Sequence, residues 1–358
     1  MVKPMTSKER VRTTFARQVP DRVPMNYLSN TDIDRRLKEH FKLAPTDGDG
    51  LLRALGVDFR RVGAEFRGPK RHADLPGRQV DDWGIHRRWI EHPAGGYWDF
   101  CDYPLKDATS DEVEAWPMPS PDDFHYADIP LQCEQYKDYY ISLGNPGLGD
   151  TVNSAGMIRT MEQVLIDLAT DEPAGLRYIE RRHEVLLEVT RRSLAAGSGK
   201  IDMLWIGEDL GTQRGPMMSL KLFRKKIRPW LQKYVDLAKP WKIPVMIHSC
   251  GSSSWAFDDF VEMGISIVDT LQPEAHDMSP AYLKKRYGDR LAFHGCISTA
   301  GPVATGTVDE VRRSVRETLA IMKPGGGYAL APTHCLQDNS PTENVLAMYE
   351  MGRALGGY

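Results

Sequence analysis

The sequence predicts an α/β protein, a single (β/α)8 TIM barrel with an N-terminal helical extension and a β-rich insertion. Three observations carry this. Short apolar runs alternate with longer stretches of helical apolar spacing from about residue 139 onward, the signature of parallel strands joined by crossover helices. About eight such strands can be counted over 358 residues, a length that suits one barrel with insertions. No G-x-G-x-x-G or Walker pattern follows a strand, so an open doubly wound sheet lacks its usual support.

The elements follow in order. Thr6-x-x-Glu9 is a capping box that opens a short helix ending near Gln18. Val23–Leu28 reads as the first strand and VDFRRVG as the second, with helices over Ile33–Phe41 and Gly50–Leu55 between them. Residues 66–135 are rich in Pro, Gly, Trp and His, with short β-like pieces around DDWG, HRRWIEH and GGYWDF. This stretch reads as an insertion or cap within one domain spanning 1–358. YYISLGN resumes the barrel. Helices over Ile158–Leu168, Gly175–Ala195, Ser219–Lys239, Ser254–Met263 and Pro280–Tyr287 then alternate with the strands IDMLWIGEDLG, PVMIHSCG, ISIVDTLQP, LAFHGCIS and GGYALAPTHC. Thr307-x-x-Glu310 caps one late helix. Ser340-Pro-Thr-Glu343 reads as another capping box, with Pro341 at the first helical position of the last helix.

Composition excludes several classes. With 41% hydrophobic and 27% charged residues and a net charge of -3, the chain is an ordinary globular one with no block that would attract nucleic acid or anionic lipid. The opening segment lacks the apolar core of a secretory signal, and no run approaches a membrane span, so a cytoplasmic protein is expected. Five cysteines, an odd number, argue against a disulfide framework and leave buried thiols or metal ligands.

Chemistry in a barrel sits at the C-terminal ends of the strands. Those exits carry Glu208 and Asp209, His248 and Cys250, Gln272, His294 and Cys296, and His334 and Cys335. His248 and Cys250 are two residues apart on an extended segment, so imidazole and thiolate face one point. That is half of a tetrahedral zinc site, and a catalytic zinc keeps one position open. Cys335, at the exit of the last strand, is a third candidate ligand. Glu208 or Cys296 is the candidate fourth. Glu208, Asp209, His294 and His334 are candidate catalytic groups, and Gln272 a candidate cofactor contact. Cys101 and Cys133 read as buried structural thiols. Trp83, Trp89, Tyr97, Trp98 and Phe100 in the insertion either line an aromatic pocket or pack a small core of their own.

The strings MTSKERVRTTFARQVPDRVP, GMIRTMEQVLIDLATDEP, GEDLGTQRGPMMS, HSCGS, LQPEAHDMSPAYLKKRYGDRLAFHG and PGGGYALAPTHCLQDNSPTENVLAMYE, in this order, resemble the uroporphyrinogen decarboxylase superfamily over nearly the whole chain. Within it the chain looks like the zinc-dependent methyltransferases of corrinoid systems. The resemblance implies a TIM barrel that binds Zn2+ through His248, Cys250 and Cys335, with Glu208 as an exchangeable fourth ligand. Two departures bear on that set. Many relatives carry Gly-Gly-Ile-Asp where this chain has Gly295-Cys296-Ile297-Ser298, and Asn where Cys335 stands. The segment SNTDIDRR does not match the arginine-rich clamp of the decarboxylase branch. The implied activity moves a methyl group between a small methylated substrate, a methoxylated aromatic on the GEDLGTQRGP resemblance, and the cobalt of a separate corrinoid protein. No D-x-H-x-x-G cobalamin segment occurs in this chain, so the corrinoid would arrive on that partner. The resemblance also admits a homodimer. The alternatives are a coenzyme M-type thiol methyltransferase, a metal-free decarboxylase-like lyase, a zinc hydrolase and a non-catalytic binding barrel.

Overall fold

The computed structural model describes residues 4–92 and 95–358. Seven parallel strands form one curved sheet in chain order: β1 (Phe59–Val62), β2 (Tyr140–Gly144), β3 (Met203–Gly207), β4 (Val245–His248), β5 (Ile267–Thr270), β6 (Ala292–Ile297) and β7 (Tyr328–Pro332). Helices connect them and cover the outer face. Most strand residues are buried, as expected of a parallel sheet covered on its outside and packed within.

The expected first strand, Val23–Leu28, is not a regular strand. It is reduced to single parallel bridges, Met25 to Leu330 and Ser29 to Leu336. It still occupies the eighth stave. Asn26 N donates to Leu330 O and Leu330 N to Pro24 O on the β7 side, while Asp58 N donates to Met25 O on the β1 side. The ladder is thin for a local reason. Pro24 has no N–H, and the Met25 N–H is taken by the Asp58 carboxylate at 2.9 Å. Buried Asp58 also accepts from Ser7, Arg10 and Arg22, which seats the N-terminal helix Ser7–Phe15 across the N-terminal ends of the strands. The rings of Phe15, Phe59 and Tyr140 pack together there at 5.6–5.9 Å.

The insertion folds around the predicted hairpin, His86–His92 paired antiparallel with Gly95–Cys101, while Asp81–Gly84 forms a turn. The hairpin reaches over to the loop after β7, where His92 Nε2 meets Asp338 Oδ2 at 3.2 Å. Its aromatics divide by position. Trp83 and Phe100 pack on the main core, but Trp89, Tyr97 and Trp98 are 51, 51 and 44% exposed, with Trp89 edge-on to Trp98 at 5.7 Å.

Two expected helices are each broken in two. Ile158–Leu168 spans the end of Val152–Arg159 and most of Met161–Thr170, because Thr160 takes φ 70 and its hydroxyl caps the second helix. Ser219–Lys239 divides into Leu220–Lys226 and Arg228–Ala238, with Pro229 in the first turn of the second, where its missing N–H costs nothing. The Thr6 and Thr307 capping boxes form as expected. The Ser340 box does not. Pro341 is the N-cap of Thr342–Leu355, no side chain caps that end, and Ser340 Oγ is buried without a partner.

The long helix Pro173–Gly197 is tied to the barrel by His183. Its ring stacks on Trp230 at 4.6 Å and lies 3.1 Å from both Thr151 Oγ1 and Tyr234 Oη. Burial holds its pKa down at about 3, against an ordinary value of 6.5. Above pH 6.5 the imidazole is neutral whether folded or unfolded and the shift has no effect. As pH falls below 6.5 only the unfolded chain takes the proton, so stability is lost. Between pH 6.5 and pH 4 this site should cost about 3 kcal/mol. Urea unfolding of the wild type and His183→Gln over that range should show the steeper acid loss in the wild type. Parallel curves would mean that His183 is protonated in the folded barrel.

Candidate metal centre

The candidate site lies at the C-terminal ends of β3 to β6. Asp209 Oδ1, His248 Nε2 and Cys250 Sγ lie within 4.8 Å of one another. His248 Nε2 is 3.4 Å from Cys250 Sγ and 3.9 Å from Asp209 Oδ1. His248 is buried, while Asp209 and Cys250 are half-buried. One nitrogen, one sulfur and one carboxylate oxygen converging at this spacing suit zinc, and three protein ligands leave a fourth position free.

Each donor is held from behind. His248 Nδ1 lies 2.6 Å from Asp269 Oδ2 and 2.7 Å from Thr270 Oγ1. Donation from Nδ1 to the carboxylate leaves the Nε2 lone pair facing Cys250 and Asp209, the usual way a carboxylate sets the tautomer of a metal-binding histidine. Asp209 accepts from Cys250 N at 2.7 Å through Oδ1 and from Asn153 Nδ2 at 2.8 Å through Oδ2. Burial alone would lower the His248 pKa, but the Asp269 carboxylate overrides it and raises it well above its ordinary range, so that a metal binding at Nε2 would displace a proton there. Burial raises the Cys250 thiol, with His248 pulling the other way. Asp269 is held below the usual carboxylate range; burial opposes this, and two imidazoles outweigh it.

The second imidazole belongs to His294. Its Nδ1 is 2.5 Å from Asp269 Oδ1 and its Nε2 accepts from Asn26 Nδ2 at 3.0 Å. The Asn26 orientation is fixed because its Oδ1 accepts the Tyr27 N–H. His294 is therefore fully engaged inside the barrel, between the rings of Phe59 and Trp205.

Strand ends at the site are bent. Thr270 and Leu271 have φ of 87 and 54, and the next strand carries Gly295 at 119 and Cys296 at 69. Left-handed non-glycine residues cost of the order of 1–3 kcal/mol each and cluster at functional sites. At Gly295 the need is plain, since a Cβ there would sit 2.2 Å from Thr270 O.

Other expected groups stand elsewhere. Glu208 is fully buried and turned away from the donors. It accepts from Thr151 N at 2.7 Å and Val152 N at 3.2 Å at the start of Val152–Arg159. Burial and the neighbouring Asp150 charge raise its carboxyl well above the usual range. It thus anchors a helix start and stands outside the converging donor group, whose carboxylate is its neighbour Asp209. Cys335 is not brought to the donors. After β7 the chain is held to Leu28 and Asn30 by backbone bonds of Leu336, and the Cys335 thiol faces Leu336 O at 3.8 Å. Cys296 is buried, has a left-handed backbone and is not among the converging donors. Gln272 accepts from Gly251 N at 3.3 Å, shaping the loop after Cys250. His334 is exposed at the mouth of a narrow cavity of about 10 Å³ that His248, Asp269, His294 and Trp205 also line. A wider cleft of about 380 Å³ shares its Asn26, Tyr27, Leu28 and Trp205 wall.

Sequence reasoning passed over Asp269, Asn26, Thr270 and Trp205. The signal for Asp269 was present, since an acid inside the apolar run ISIVDTL must be paired to be buried.

Among the described residues, no helix is long and apolar enough to cross a membrane. No curated protein matches the chain. Among solved structures, it is similar to a methyltransferase from Methanosarcina mazei, at 17% identity over 98% of this chain and 99% of that one, with a TM-score of 0.67. At this identity the likeness establishes the barrel fold. A 3-keto-D-glucoside 4-epimerase, YcjR, from E. coli is far less similar, at 17% identity over 63% of this chain and 85% of that one, with a TM-score of 0.35. Residues 152–355, more than half of the chain and the stretch that contains the Asp209, His248 and Cys250 donors, match the uroporphyrinogen decarboxylase (URO-D) family, and the chain belongs to that family.

Proposed function

We propose that this protein is a zinc-dependent methyltransferase that demethylates a methoxylated aromatic, the methyl group passing to the cobalt of a corrinoid carried by a partner protein. The observation that carries the reading is the convergence of Asp209, His248 and Cys250 with Asp269 behind the histidine. Bound there, zinc would supply a Lewis acid that stabilises a substrate oxygen as its bond to the methyl carbon breaks. The electron pair of that bond would stay on oxygen, and a reduced Co(I) corrinoid would supply the pair for the new carbon–cobalt bond.

The residues do the rest. Asp269 keeps His248 in one tautomer and one rotamer. Asn153 and the Cys250 N–H keep Asp209 aimed at the same point. A set with one thiolate and one carboxylate leaves a zinc more electron-poor than a thiolate-rich set does. That favours withdrawing charge from an ether oxygen over activating a bound thiolate, and supports demethylation over the thiol-methylating alternative. The decarboxylase-like alternative needs a free basic clamp after the first strand. Here Arg35 pairs with Asp32 and Glu39, and Arg36 pairs with Asp32 and donates to Asp338 O. The similarity in fold to a methyltransferase from Methanosarcina mazei is in keeping with this reading.

Elemental analysis of the purified chain should find about one zinc per protein. Cys250→Ala and Asp209→Ala should lose it, and Cys335→Ala should keep it. Retention by Asp209→Ala together with loss in Cys335→Ala would restore Cys335 to the ligand set. Asp269→Asn should weaken zinc about ten- to a hundredfold, the usual effect of losing the carboxylate behind a metal-bound histidine, as read by competition with a chromogenic chelator. With a reduced corrinoid protein and methoxybenzenes, the zinc-loaded enzyme should form methylcobalamin, followed by its absorbance. Cys250→Ala should not. Equal rates in the two would sink the metal reading.

A further inference from the structure

Asn26, buried on the eighth stave, is pinned at every polar group but one. Its N–H donates to Leu330 O on β7 at 2.9 Å, its C=O accepts from Tyr349 Oη of the last helix at 2.8 Å, and its Oδ1 accepts from Tyr27 N at 2.8 Å. That leaves Nδ2, which can only donate, 3.0 Å from His294 Nε2. From there a line of hydrogen bonds crosses the barrel. His294 Nδ1 reaches Asp269 Oδ1 at 2.5 Å, and Asp269 Oδ2 reaches His248 Nδ1 at 2.6 Å. Thr270 Oγ1, 2.7 Å from the same His248 nitrogen, is a second oxygen placed to accept there. The cavity that Asn26, His294, Asp269 and His248 line holds about 10 Å³, at the lower limit for one water, so protein groups set the direction of each bond. Phe59 and Trp205 close the sides of the His294 ring.

Direction matters in such a line. A neutral imidazole has one N–H and one lone pair. Because an N–H of Asn26 meets the Nε2 lone pair, the proton of His294 lies on Nδ1, and the ring gives Asp269 one neutral hydrogen bond. If Nε2 faced an acceptor instead, both nitrogens would carry protons. The resulting imidazolium would draw Asp269 into a charge-assisted pair about twice as strong, and the carboxylate charge would lie toward His294 and away from His248. A carboxylate behind a metal-binding imidazole raises its basicity as a ligand. We propose that Asn26 is a positioning residue of the metal centre: its amide keeps His294 a neutral, one-proton donor and so reserves the Asp269 charge for His248. It acts through three hydrogen bonds and touches none of the three donors. The inference rests on the metal reading only for the zinc affinity that Asn26 sets; the proton pattern of His294 rests on hydrogen-bond geometry.

Long-range proton–nitrogen NMR of the histidine-labelled wild type, zinc-loaded and after chelation, tests this at neutral pH. His294→Asn identifies the signals that belong to His294. Its Nε2 should resonate as an unprotonated ring nitrogen in both states. Protons on both nitrogens would overturn the proposal with Asn26 itself unaltered. Asn26→Asp keeps an acceptor for the Tyr27 N–H but turns the donor toward His294 into an acceptor. It should convert His294 to the doubly protonated form in the same spectrum. It should also weaken zinc about tenfold in chelator competition, the lower end of what disturbing the support behind a metal-bound histidine costs. With His294→Asn already in place, whose amide can donate to Asp269 but cannot gain charge, Asn26→Asp should leave zinc affinity as it was. Undiminished zinc affinity in Asn26→Asp, or an equal loss in the His294→Asn background, would each overturn the proposal. The two readings fail separately. Zinc uptake with His294 doubly protonated would sink this inference and leave the metal reading standing. No zinc uptake by the wild type would sink the metal reading, and the His294 spectrum would still decide what Asn26 does to Asp269.

Discussion

One carboxylate holds the centre of this protein together. Asp269 sits in register between His248 on β4 and His294 on β6, and each of its oxygens takes one imidazole. An isolated carboxylate inside a barrel would cost several kcal/mol or take up a proton. With two imidazole partners it stays ionised and directs both rings. The free His248 Nε2 then points to Cys250 and Asp209, and the His294 Nε2 is closed off by Asn26. The donor cluster thus depends on a residue that is not itself one of the donors.

A second layer of constraint comes from the segments around that carboxylate. The bent ends of β5 and β6 allow Thr270 to reach His248 while Gly295 gives its carbonyl room. Glu208 pins the start of Val152–Arg159, which carries Asn153 to Asp209. Thr151, whose N–H meets Glu208, also meets His183 through its hydroxyl. The outer helices are therefore in contact with the face that carries the Asp209, His248 and Cys250 donors through single hydrogen bonds. The site is rigid because its supports are buried, as a preorganised site requires.

The opposite wall is built differently. The segment at 23–30 closes the ring with a few backbone bonds and brings Asn26 to His294 and Tyr27 to the cleft.

Much of this was legible in the chain itself. Alternating strand and helix patterns, the hairpin within the insertion, and the strand exits at Asp209, His248 and Cys250 depend on local periodicity and on parity along an extended segment, which a sequence carries directly. The spacing of His248 and Cys250 was enough to bring imidazole and thiol together. What a sequence does not carry is direction after a strand ends. Glu208 and Asp209 are neighbours, yet one turns to a helix start and the other to the cluster. Cys335 leaves β7 at the same rim but follows Leu336 toward Leu28 and Asn30. Cys296 takes a left-handed backbone at the end of β6, next to a Gly295 that has no room for a Cβ against Thr270 O. The residue types and their order along each strand were set by the sequence. Which of them meet was decided by backbone hydrogen bonds between segments far apart in the chain.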